Sequence, residues 1–95
     1  MQSLLVVGGD YLGKITENLC NEGFTEIIHI NGRKTQMVRK EIPSNIALFL
    51  VLTDYINHNL STNIKKRANE QSIPIFYSKR SWSAIHNELQ KIKRS

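Results

Sequence analysis

The stretch Ile46-Ala47-Leu48-Phe49-Leu50-Val51-Leu52-Thr53-Asp54 decides the fold of this chain. Its first seven residues are all apolar, and they end abruptly at a hydroxyl and a carboxylate. An apolar run without polar alternation is typical of a strand that is covered on both faces, as in a parallel sheet. The run is far shorter than the roughly 20 residues that a membrane-spanning helix requires. We therefore predict that residues 46–52 form a central, buried strand.

The segments around this run alternate between strand and helix patterns. Further strands are predicted at residues 3–7, 27–30 and 73–77, and Pro74 at the start of the last one suits an edge strand. Helices are predicted where apolar residues recur three to four positions apart. These residues are Leu12, Ile15 and Leu19 in the first helix, Leu60, Ile64 and Ala68 in another, and Trp82, Ile85, Leu89 and Ile92 in the last. Residues 34–41 are predicted to form a short helix or a loop.

This order of elements predicts an α/β fold. Alternating strands and helices require a parallel sheet with helices on both faces. The right-handed crossover rule favours a small doubly wound, Rossmann-like sheet of four strands in the order 2-1-3-4. The 95 residues suffice for a single domain, residues 1–95. The N-terminus has no basic segment before its apolar residues, so it indicates a first strand and not a signal peptide, and we expect a soluble cytoplasmic protein.

Composition narrows the possible functions. Thirteen Lys and Arg against eight Asp and Glu give a net charge of +5, which suits an anionic small molecule or nucleic acid. A chain of this length buries only about 60–65% of its unfolded surface, so dimerisation would help it and we expect a homodimer. The single cysteine, Cys20, excludes an internal disulfide and a cysteine-only metal site, and we predict that it packs as a small hydrophobic residue.

Polar and aromatic residues gather where the predicted strands end. The carboxyl ends of parallel strands share one edge, and ligands bind there where the strand order reverses, between the first and third strands. The expected site consists of Gly8, Gly9, Asp10 and Tyr11 after the first strand, Arg33 after the second, Thr53, Asp54 and Tyr55 after the third, and Arg80 and Trp82 after the fourth. Cations beside aromatic rings suit a planar anionic ligand. The alternative is that these residues only cap helices and turn the chain.

The loop after the first strand nearly matches a phosphate-binding motif. Residues 8–14 have the spacing G-x-x-x-x-G-K between a strand and a helix. However, Ile15 occupies the position of the hydroxyl residue that would bind magnesium, and Asp10 adds a negative charge near the phosphate position. Nucleotide hydrolysis is therefore not expected, although a phosphorylated small molecule or nucleotide stays an alternative ligand. No set of residues in the chain supports naming an enzymatic reaction.

Among the three histidines, His58 is the strongest candidate for a metal ligand. It lies near a predicted helix start, where the positive end of the helix dipole favours a neutral imidazole that can bind a metal. Asp54 precedes it by four residues and would orient the ring if that turn is helical. His29 alternates within a strand, and His86 is predicted to be solvated on the last helix. A structural role for His58 is the alternative.

Four groups of residues, which together span almost the whole chain, give a family resemblance. They are 7–10 with 12–13, His29 with 32–34, 51–54 with 57–59, and Ser78 with 80–82. On these residues the chain resembles the bacterial domain of unknown function 2325 (DUF2325) family. The resemblance implies a small Rossmann-like cytoplasmic protein, and some members are thought to bind haem b as dimers through an axial histidine, with a role linked to oxygen or redox sensing.

Applied to this chain, the resemblance makes His58 the axial ligand of haem iron and His29 the reserve. The residues expected to form an apolar wall around the haem are Tyr11, Tyr55, Ile56 and Trp82. The residues expected to pair with the haem propionates are Arg33, Lys79 or Arg80. The haem would be non-covalent, because the chain has no C-x-x-C-H segment. One copy supplies too little wall for a porphyrin, so a two-fold interface would complete the pocket. A phosphorylated ligand or nucleic acid is the alternative, nucleic acid being the less favoured.

Overall fold

A computed structural model of the chain describes residues 3–32, 46–54 and 56–94. The elements are β1 (Ser3–Val7), α1 (Lys14–Asn21), β2 (Glu26–Ile30), β3 (Leu48–Leu52), α2 (His58–Gln71), β4 (Ile75–Ser78) and α3 (Trp82–Arg94). The four strands pair in parallel in the order β2-β1-β3-β4. The predicted α/β class and the strand order 2-1-3-4 are therefore confirmed. The helix or loop predicted at residues 34–41 lies outside the described residues.

The two central strands form the core because every residue of β1 and β3 is buried. Successive side chains of a strand point to opposite faces of the sheet, and helices cover both faces. One face packs Leu4, Val6 and Leu50 against buried residues of α1 and α3, among them Leu19, Ile85 and Leu89. The other face packs Leu5, Val7 and Phe49 against Leu60, Ile64 and Ala68 of α2. Full burial of such an apolar side chain stabilises the fold by roughly 1.5–3 kcal/mol.

Strand boundaries follow the register of the sheet. The central strand begins at Leu48 and not at Ile46, since Leu48 is the residue that pairs with Leu4 of β1. Ile46 is nevertheless buried and packs on the α2 face. By contrast, β2 begins at Glu26, one residue before the predicted strand, because Glu26 pairs with Ser3. The apolar run therefore extends beyond the paired residues at Ile46, whereas pairing extends beyond the apolar run at Glu26.

Helix α1 ends shortly before a glycine, and its cysteine does not lie where we expected. The helix is followed by Glu22 and then by Gly23, whose φ of 109° suits glycine after a helix. Cys20 is exposed, so the prediction that it packs as a small hydrophobic residue is wrong. The cause is helical geometry, because Cys20 lies about 100° around the helix from the buried Leu19.

Membrane insertion was not expected from the sequence. Within the described ranges, none of the helices combines the length and the apolar character that crossing a bilayer requires.

Candidate functional site

The loop after β1 approaches the loop after β4 through a glycine. Gly8 and Gly9 have φ angles of 119° and 72°, which L side chains rarely adopt. A Cβ on Gly9 would lie 3.5 Å from Cδ and 3.6 Å from Nε of Arg80. The aliphatic part of Arg80 therefore lies against the backbone at the carboxyl end of β1.

Arg80 connects three loops at the carboxyl edge of the sheet. Its Nε donates a hydrogen bond of 2.9 Å to the carbonyl oxygen of Tyr11, and its Nη2 donates to the same oxygen. Its backbone N–H donates to Asp54 Oδ1 at 3.0 Å. Arg80 lies 69 residues from Tyr11 and 26 from Asp54 in sequence. One side chain and its backbone amide thus fix the loops after β1, β3 and β4 relative to one another.

A small cavity lies beside this arginine. Its volume is about 230 Å³, and it is lined by Gly9, Asp10, Tyr11 and Arg80. Tyr11 is 75% exposed, and its ring lies close to Gly13, where a Cβ would be 3.5 Å from Tyr11 Cε1. The cavity therefore has one cation, one anion and one exposed aromatic ring at the carboxyl ends of β1 and β4. We call it the Arg80 cavity.

His29 supports the same loop from the other side. Its Nε2 lies 2.8 Å from the carbonyl oxygen of Gly8 and 3.2 Å from that of Gly9. Carbonyl oxygens only accept hydrogen bonds, so Nε2 carries a proton and donates. Gly32 N–H also donates to the Gly9 carbonyl at 3.3 Å. In this arrangement the Nε2 atom of His29 holds the backbone of residues 8 and 9 and is not free to bind a metal.

His58 is the first residue of α2 and its side chain is exposed. Asn57 is the residue that caps the helix, because its side chain accepts the Asn59 N–H at 2.8 Å. Asn57 N–H donates to the Gly32 carbonyl at 2.7 Å, which holds the start of α2 beside the end of β2. None of the described residues makes a hydrogen bond or ion pair with the His58 ring.

The helical turn on which the predicted role of Asp54 depended is not present at residue 57. Residue 57 has an extended backbone, with φ −65° and ψ 135°, so the turn between Asp54 and His58 is not helical. The Oδ1 atom of Asp54 instead accepts the Arg80 N–H. Thr53 is exposed, and its hydroxyl donates to the Ser78 carbonyl at 3.4 Å, so it joins the ends of β3 and β4.

Trp82 and His86 form a separate pair on α3. Their ring centroids are 5.6 Å apart, and the partly buried Trp82 packs against the core on the α1 and α3 face. His86 Nε2 also lies 3.2 Å from Gln90 Nε2 and 3.8 Å from Glu22 Oε1. His86 was predicted to be solvated, but it contacts Trp82, Gln90 and Glu22. Trp82 does not line the Arg80 cavity.

The carboxyl edge thus separates into two regions. The Arg80 cavity brings together Gly9, Asp10, Tyr11 and Arg80, and a hydrogen bond connects it to Asp54. His58 does not line this cavity, and it begins α2, whose buried residues pack on the opposite face of the sheet from those of α1 and α3. Arg33 and Tyr55, also expected at the site, lie outside the described residues. No cluster of three or more potential metal ligands is present in the described ranges.

Two contributions to this edge were missed at the level of sequence. The first is the Tyr11 backbone carbonyl that accepts from Arg80, and no side-chain pattern could have signalled it. The second is the support of Gly8 and Gly9 by His29. Parallel pairing aligns His29 with Val6, two residues before Gly8. The predicted strand order therefore could have indicated that His29 lies close to the loop after β1.

Comparison with known proteins gives one family. The family model DUF2325, described as an uncharacterized protein conserved in bacteria, matches residues 3–92. No curated protein and no solved structure matches the chain significantly.

Proposed function

The chain belongs to the DUF2325 family, and we propose that it is a ligand-binding protein that holds haem b between two copies of itself. In this proposal the His58 imidazole is an axial ligand of the iron and the haem is non-covalent. The iron of a bound haem supplies reversible binding of small ligands or transfer of one electron, which are the chemistries that an oxygen or redox sensor requires.

The observation that carries this proposal is the contrast among the three histidines. His29 uses Nε2 to hold two backbone carbonyls, and His86 packs against Trp82. The His58 ring is exposed, and none of the described residues bonds it. An imidazole that keeps a nitrogen available at the surface has the donor chemistry that haem iron takes from proteins. The chemistry of the donor therefore favours His58 over His29.

The residues around His58 fit an axial ligand but do not enclose a porphyrin within one copy. Asn59 is exposed like His58, and Asn57 is half-buried. Ile56 is partly buried and packs against the core on the α2 face, so it offers only the edge of an apolar wall. A haem bound to His58 would leave much of its surface in water unless a second copy covered it. A two-fold axis beside His58 would supply that cover and a second imidazole.

Basic residues near the same edge would pair with the haem propionates. Arg33 follows Gly32, whose carbonyl accepts the backbone N–H of Asn57 immediately before His58. Arg33 is therefore the basic residue that we propose for this role. Arg80 lines the Arg80 cavity, which His58 does not line, and Lys79 is its neighbour in sequence.

A hemin titration of the purified protein tests the proposal. We expect a Soret band that saturates at one haem per two chains, together with a shift from monomer to dimer in sedimentation velocity. His58→Ala should lose the band. His86→Ala is the matched control, because it removes another helical, partly exposed histidine, and it should keep the band. A wild-type protein that ignores hemin, or a His58→Ala variant that binds it equally well, would overturn the proposal.

The alternative ligands are separated by two further assays. A phosphorylated small molecule or nucleotide should raise the melting temperature of the protein in proportion to its affinity. Nucleic acid should bind with an affinity that falls steeply as salt rises, because its binding depends on phosphate contacts by Lys and Arg. Either result without a Soret band would favour the corresponding alternative over haem.

A further inference from the structure

The Arg80 cavity has the size of a small metabolite. Its volume is about 230 Å³. A water molecule occupies roughly 30 Å³ in the liquid, so the cavity holds about seven or eight groups of that size. A group of about seven to ten non-hydrogen atoms fills this space. The cavity is open to solvent, so its volume does not limit the size of the whole ligand, and the residues that line it indicate which chemical groups it would bind.

Arg80 offers a fixed set of donors to such a ligand. A guanidinium carries five N–H donors in a rigid plane. Two of them, on Nε and Nη2, donate to the Tyr11 carbonyl and thereby fix the orientation of the plane. No described residue accepts from the remaining three, which are one N–H of Nη2 and both of Nη1. Parallel N–H groups on two adjacent nitrogens match the two oxygens of a carboxylate.

Asp10 decides between a simple anion and a zwitterion. It lines the same small cavity as Arg80, with opposite charge. A phosphate monoester, with close to two negative charges at neutral pH, would experience repulsion from Asp10 that offsets attraction to Arg80. A ligand that carries both a carboxylate and an ammonium group satisfies both residues. Asp10 also interacts within the chain, and a carboxylate has capacity for about four hydrogen bonds, so this interaction is compatible with a ligand.

Tyr11 supplies the third element of recognition. Its ring is largely exposed at the cavity and lies close to Gly13, where a Cβ would be in ordinary contact with it. An exposed ring at this position can cover the apolar or cationic side chain of a small ligand. We propose that the Arg80 cavity binds a free α-amino acid, with its carboxylate on Arg80, its ammonium beside Asp10 and its side chain along Tyr11.

The test is isothermal titration of the whole protein with each of the common L-amino acids, without hemin. We expect at least one of them to bind. Its decarboxylated amine and its deaminated acid should each bind at least about tenfold more weakly, because each loses one charge-assisted contact. Arg80→Ala and Asp10→Asn should weaken binding by a similar factor. The control variants are Lys91→Ala and Glu88→Gln, an exposed ion pair on α3, and they should leave binding unchanged.

Two further measurements guard against loss of structure in the Arg80 variant. Arg80→Lys keeps the charge but loses the planar fork, so it should weaken binding less than Arg80→Ala does. In the wild-type protein, amide NMR shifts on adding the amino acid should concentrate at residues 9–11 and 80. The inference is overturned if no amino acid binds at about 10 mM, a concentration well above a millimolar Kd. It is equally overturned if binding survives in Arg80→Ala or Asp10→Asn, or if the shifts lie elsewhere. None of these outcomes changes the hemin result expected for His58.

Discussion

Replacing Gly9 with alanine should destabilise the protein through its backbone and not through a clash. Gly9 has a φ of 72°, in the left-handed region that costs a residue with a Cβ about 1–2 kcal/mol. The new Cβ would lie 3.5 Å from Arg80 Cδ and 3.7 Å from Leu52 Cδ1, which are ordinary contact distances. Alanine also restricts the unfolded chain, which offsets about 0.4–1 kcal/mol of this cost. We expect the free energy of unfolding to fall by about 1 kcal/mol, or roughly 4–8 °C in Tm.

Urea denaturation followed by far-UV circular dichroism measures this loss, with Gly23→Ala as the matched control. Gly23 also has a positive φ, of 109°, but a Cβ there would meet no atom within 4 Å. Both variants should therefore lose stability, whereas only Gly9→Ala should change binding at the Arg80 cavity. An unchanged midpoint in Gly9→Ala would refute the positive φ at residue 9. A loss above about 3 kcal/mol would refute the ordinary contact distances, since it would require a steric clash.

Three further predictions concern burial, capping and thiol exposure. Phe49→Ala should lower the unfolding free energy by about 3–5 kcal/mol, because Phe49 is fully buried. Tyr77→Ala should lower it by about 1 kcal/mol or less, because Tyr77 is exposed, and equal losses in the two variants would contradict this packing. Asn57→Ala should cost about 1 kcal/mol in chemical denaturation by removing the α2 cap, and Asn57→Asp should restore it. Cys20 should react with a thiol reagent in the native protein, as followed by absorbance, because it is exposed. A Leu19→Cys, Cys20→Ser variant moves the thiol to a buried position, and an equally slow reaction of the wild-type protein would contradict the exposure of Cys20.

The strand order was accessible from the sequence because two general constraints sufficed. The unbroken apolar runs at residues 3–7 and 46–52 required strands that are covered on both faces. Right-handed crossovers then placed β1 and β3 together at the centre, as the structure shows. The error at Ile46 arose because burial and strand pairing are different properties. A residue before a strand can be buried by the helix that covers it, as Ile46 is.

The arrangement of the candidate site was less accessible, because its connections are long in sequence and involve the backbone. Every residue has a carbonyl, so nothing distinguishes Tyr11 as the acceptor for Arg80. The prediction that Asp54 would orient His58 assumed a helical turn, and one extended residue, Asn57, invalidated it. The sequence predicted that residues 9–11 and Arg80 lie at the carboxyl edge, where they line one cavity. It did not reveal that the edge has two regions, one at the start of α2 and one at the Arg80 cavity.

The most direct test of the proposed function is the absorption spectrum of the protein purified after expression with a supplied haem precursor. We predict a Soret band in the wild-type protein and in His86→Ala, and none in His58→Ala. A Soret band of equal intensity in His58→Ala, or a colourless wild-type protein that also fails to bind added hemin, would contradict the assignment of His58 as the haem ligand.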